Sequence, residues 1–78
     1  MEYMSHYPAP PIEAMKAQVL DVLIEKYPSH DPTFLTNIVN KGFDTYEHKD
    51  ELKEISMSGW LMLYKSELVK RVHALMPL

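Results

Sequence analysis

The stretch Ser58-Gly-Trp-Leu-Met-Leu-Tyr-Lys-Ser-Glu-Leu-Val-Lys-Arg-Val-His-Ala-Leu-Met76 has the pattern of a helix with an unusually broad apolar side. Turning about 100° per residue, it gathers Tyr64, Leu75, Leu68, Leu61, Val72, Met76, Val69 and Met62 into one arc of roughly 160°, broken only by Lys65. A surface helix shows a narrower stripe. The expectation is a central strut covered on two sides, with Ser66, Glu67, Lys70 and Arg71 facing solvent.

Before it, Ser56-Met57-Ser58-Gly59 reads as a break, with Ser58 or Ser56 as cap. The preceding Asp44-Thr45-Tyr46-Glu47 has capping-box spacing, so a helix 3 is expected from there to about Ile55. Tyr46, Leu52 and Ile55 are its sparse anchors among six charged residues, making it the most exposed helix. Helix 2 is expected over Pro32–Lys41, with Asp31 as N-cap and Phe34, Leu35, Ile38 and Val39 as its buried face. Gly42 would close it as the left-handed residue after the cap. Helix 1 is expected from about Pro11 to Lys26, ended by Pro28. Ile12, Met15, Val19, Leu20, Val22, Leu23, Ile24 and Tyr27 cover one broad side of it.

Residues 1–11 differ in character, with Tyr3, Met4, His6 and Tyr7 leading into Pro8-Ala9-Pro10-Pro11. Such proline density favours extended polyproline-II chain, which either docks on an aromatic groove of another domain or lays its aromatics on the protein's own helices. The expected fold is therefore all-α: one domain over residues 12–78, built of three main helices plus one short helix, behind a Pro-rich N-terminal tail (1–11).

Composition narrows the function. The 78 residues include no cysteine, which excludes disulfides and thiolate metal sites within the chain. A single core of this size supplies only ~3–5 kcal/mol net, while 46% of the residues are hydrophobic and six are Met. That excess of apolar surface points to a partner. The formal net charge of −3 is too mild to steer the chain onto polyanions. Residues 1–11 lack the basic start and apolar run of a signal peptide, and no stretch is apolar enough to span a bilayer, so a cytoplasmic location and no membrane association are expected.

Motifs for chemistry are absent. No serine lies in a Gly-flanked elbow, and His6, His30, His48 and His73 are scattered without ligand spacing. The best local pair, His48 with Glu51, offers too few ligands for a closed site and reads as a solvated helix face. A non-enzymatic protein with no cofactor and no metal is expected. One nucleic-acid reading survives. Helix 2, Gly42 and helix 3 stand in helix–turn–helix order, but the would-be recognition helix is acidic, which leaves Lys65, Lys70, Arg71 and His73 of the last helix as the possible contact.

The favoured reading is a small regulator, adaptor or inhibitor that binds another protein and self-associates, with nucleic-acid binding as the alternative. Its expected interface joins Ile55, Met57, Trp60, Met62, Leu63 and Tyr64 with Tyr3 and Tyr7 of the tail. Trp60 and Tyr64 would be rigid amphipathic anchors, and the methionines adaptable contacts. Taken alone, Trp60 reads more readily as a residue that folds under helix 3 or the tail and completes the core than as an interface residue.

Overall fold

The structure, a computed structural model, describes residues 12–77. The expected tail, Tyr3 and Tyr7 within it, and the helix start at Pro11 lie outside the described residues. Helix α1 runs over Ile12–Lys26 and α2 over Pro32–Asp44. After a turn region comes a short 3-10 turn, Glu51–Lys53. The C-terminal helix then spans residues 57–75 without interruption, as an α turn (Met57–Gly59), a π-helical segment (Trp60–Tyr64) and an α segment (Lys65–Leu75). Among the described residues there is no strand, so the domain is all-α with three helices.

Each helix packs on both others, so the C-terminal helix is one side of a triangle and not a central strut. The core takes Met15, Val19 and Leu23 from α1, Leu35, Val39 and Phe43 from α2, Trp60, Leu68 and Val72 from the C-terminal helix, and Met76 just past its end. Spacings of four residues dominate, as a helix face requires. The start of α2 follows the sequence reading, with Asp31 Oδ1 accepting from the Thr33 N–H at 3.0 Å and Pro32 in the first turn.

The end of α2 does not. It continues past Gly42 to Asp44, and Gly42 is buried inside it. A Cβ at Gly42 would meet Val72 Cγ2 at 2.6 Å, so the glycine is there because two helices touch nearly backbone to side chain. Arg71 replaces the expected glycine cap. Its Nε donates to Gly42 O at 3.0 Å and its Nη2 to Thr45 O at 2.6 Å and Thr45 Oγ1 at 2.7 Å, satisfying carbonyls that the helix end leaves open.

Helix 3 is absent, and with it the capping box and the helix–turn–helix arrangement. Residues 46–54 instead form successive three-residue turns, with N–H to C=O bonds from Lys49 to Tyr46, Glu51 to His48, Leu52 to Lys49 and Glu54 to Glu51. The spacing of the apolar anchors explains this. Tyr46 and Leu52 are both buried and Ile55 is packed against the core, and they are separated by multiples of three. An α-helix would throw Tyr46 and Leu52 to different sides, whereas a three-residue repeat stacks them on one.

Candidate protein-binding face

The C-terminal helix begins at Ser56, whose Oγ accepts from the Gly59 N–H at 3.1 Å. One turn later the ladder widens, and the Lys65 N–H reaches back five residues to Trp60 O. Such a π turn holds one more residue than an α turn. Everything on its N-terminal side is therefore rotated by about one residue's step, roughly 100°. Trp60 takes the inward place that an unbroken α-helix would give Leu61. It is 0% exposed, and its Nε1 donates to Gln18 Oε1 at 2.9 Å. An indole buries more apolar surface than a leucine side chain, a gain of about 2 kcal/mol at ~25 cal/mol per Å² that offsets the distorted turn.

The same rotation turns Leu61 outward beside Met62 and Leu63, so that three consecutive apolar residues face solvent. Leu61 is 49% exposed, Met62 79% and Leu63 65%, beside Met57 at 41%. These residues form an apolar ridge. Leu61 also forms one end of a shallow groove of about 340 Å³ whose floor is completed by Val22 of α1 and Val69, with Lys65, Ser66 and Lys70 on the side of the C-terminal helix. Apolar surface in excess thus lies on the outside of the domain, at the expected Met57, Met62 and Leu63 and also at Leu61, which the arc placed on the covered side.

The residues expected at an interface separate into three groups. Met57, Met62 and Leu63 are on the exposed ridge. Ile55 and Tyr64 are half-buried against the core, and the Tyr64 hydroxyl donates to Glu51 Oε1 at 2.8 Å. Trp60 is core, so its alternative reading as a residue that finishes the core describes its position, although the cover comes from α1 and α2 and not from a helix 3. Tyr46, edge-on to Tyr64, is tied in as well, its hydroxyl donating to Glu67 Oε1. Burial, then this bond to a carboxylate, pushes the Tyr46 hydroxyl well above its ordinary range. Leu61, Val22 and Val69 were not expected to be part of a face. The only sequence cue was that Trp60 fell outside the helical arc, a side chain too large to leave unaccounted for.

The four candidate nucleic-acid contacts are occupied differently. Arg71 caps α2, His73 Nε2 is hydrogen-bonded to the Tyr27 hydroxyl, Lys65 is half-buried at the groove, and Lys70 is exposed. Around Glu51 a small polar network forms, since its Oε2 accepts from His48 Nδ1 at 2.8 Å while Oε1 holds Tyr64. Those bonds, Tyr64 first and His48 second, lower the Glu51 carboxyl, and the bond to Glu51 raises His48. Among the described residues no three His, Cys, Asp or Glu side chains group to hold a metal ion, and no helix is long and apolar enough to cross a membrane.

These features define a class by architecture alone, a small three-helix domain with an exposed apolar ridge. No family model, curated protein or solved structure matches the chain.

Proposed function

We propose that this protein works by binding another protein through the ridge and groove of the C-terminal helix, as a regulator, adaptor or inhibitor. The observation that supports this reading is the outward run Leu61-Met62-Leu63, 49–79% exposed, directly beside an apolar groove. Isolated surface leucines are ordinary, but an apolar run that wraps the outward side of one turn, with Leu61 lining a groove, is the kind of exposed surface that marks contact sites. Met57 and Met62 adapt their shape to a partner at small cost. The turn that exposes the ridge is π-helical, a geometry concentrated at functional sites.

The nucleic-acid alternative draws less support, because the only arginine of the chain is engaged in capping α2 and His73 in bonding Tyr27. The test is differential capture from the source cell with the intact protein and with a variant carrying Leu61→Glu, Met62→Glu and Leu63→Glu. A partner held by the native chain and lost by the variant, with helicity unchanged, supports the ridge. An identical captured set from both proteins sinks it.

A further inference from the structure

We infer that the first occupant of the Val22–Leu61–Val69 groove is a second copy of this chain, in a two-fold dimer whose axis runs along the groove. This rests on the reading of the ridge and groove as a protein-binding face and names the partner. The argument starts from the two walls. Two hydrogen bonds tie α1 to the C-terminal helix, Gln18 to Trp60 near one end and Tyr27 to His73 near the other. Residue number rises together along both helices between these ties, so the helices run parallel. By interpolation Asp21 comes level with Lys65, and Glu25 with Lys70.

Lys65 and Lys70 line one wall of the groove, and Val22, Leu61 and Val69 give it an apolar floor. On α1, Asp21 and Glu25 are exposed and lie about 60–100° round the helix from Val22, on the side away from the core residues Val19 and Leu23, which places an acidic strip beyond the Val22 edge. Among the described residues the ion pairs are His48–Glu51 and Lys53–Asp50, and neither involves these four. Two copies facing each other can be related by an axis across the groove or along it. The first sets acid on acid and base on base. The second sets each acidic strip on the other copy's basic wall at the same level, pairing Asp21 with Lys65 and Glu25 with Lys70 twice over, while Leu61 and Val69 meet the other copy's Val22 across the axis. Closed two-fold interfaces need such self-complementarity, and charge placement fixes their register.

The test is sedimentation equilibrium of the full chain and of two charge reversals. One carries Asp21→Lys and Glu25→Lys, the other Lys65→Glu and Lys70→Glu. Each reversal alone sets like charges face to face and is expected to weaken self-association by roughly a hundredfold. Mixed one to one, the two variants have all-basic and all-acidic faces and are expected to regain the dimer as a heterodimer. Because Lys65 is half-buried, the single pair Glu25→Lys and Lys70→Glu repeats the experiment on exposed positions, with helicity checked by circular dichroism. A native chain that stays monomeric overturns the inference, whether residues 1–11 or a different protein covers the groove. So does a native dimer that both reversals leave intact. In the monomeric case, loss of a captured partner in the Leu61/Met62/Leu63 variant would still uphold the binding face, so the two readings fail separately.

Discussion

Two halves of one helix dispose of their apolar residues differently. In the α half, Lys65–Leu75, Leu68 and Val72 follow the four-residue step and are wholly buried. In the π half, Trp60–Tyr64, only Trp60 is buried, and the three residues after it are turned to solvent. The π half is an unbroken apolar run, Trp60-Leu-Met-Leu-Tyr64, which no helix can bury on one side, so register decides which of its members goes inside. What differs is register, since one additional residue in a single turn trades a buried leucine for a buried tryptophan. The core gains its largest side chain, and the surface acquires a ridge that a small monomer would otherwise avoid.

The sharpest way to break this comparison is to remove one residue from each half. Deleting Lys70 shortens the step from Leu68 to Val72 and swings Val72 and Met76 out of the core, so loss of the cooperative thermal transition is expected. Deleting Met62 only converts the wide turn to an α turn and keeps Trp60 aligned with Leu68, so a melting temperature within about 5 °C of native is expected. If the Met62 deletion unfolds the protein instead, the π turn is not a simple one-residue insertion. Next in size is Trp60→Ala, which empties the inward place in the π half. It is expected to cost about 3–5 kcal/mol, comparable to the whole stability of so small a domain, read as loss of helicity at 25 °C.

Smaller effects sharpen the same contrast through the two glycines. An added Cβ at Gly42 meets fully buried Val72, which cannot move, so Gly42→Ala is expected to lose about 1–2 kcal/mol after its gain in helix propensity, measured by urea unfolding. A Cβ at Gly59 meets Ile55 Cγ1 at 2.6 Å, but Ile55 is only half-buried and can turn aside. Gly59→Ala is therefore expected to leave the urea midpoint nearly unchanged. The smallest effect is on pH. Glu51 has a lowered carboxyl, so its contribution is present above its usual 4.5 and fades as pH falls through the lower folded value. His48 is raised, so its contribution is present below its usual 6.5 and fades as pH rises through the higher folded value. A shallow maximum in melting temperature between those limits is expected, and His48→Gln should flatten its alkaline side.

Much of the fold was legible because it follows from local rules. Pro28 ends α1 at Lys26, Asp31 and Pro32 start α2, and Ser56 starts the C-terminal helix. What was not legible depended on contacts between elements. Gly42 reads as a helix stop in isolation, and only the approach of Val72 explains it as a contact point. Tyr46, Leu52 and Ile55 did carry a three-residue repeat, but the capping-box spacing of Asp44 and Glu47 spoke for an α-helix, and burial of the anchors overrode it. The face was legible in composition, as apolar surplus, and in position at Met57, Met62 and Leu63 but not at Leu61. A π turn has no residue signature of its own; it arose because Trp60 had a better place inside than Leu61.

The guanidinium of Arg71 has a consequence of a different kind. It holds the last carbonyls of α2 from the last turns of the C-terminal helix, so fraying at the end of α2 gives up bonds to a second helix as well as its own. Opening at Thr45 breaks the two Arg71 Nη2 bonds there while Leu68 and Val72 keep the C-terminal helix on the core. The guanidinium thus adds a polar link between α2 and the C-terminal helix beside the apolar core they already share.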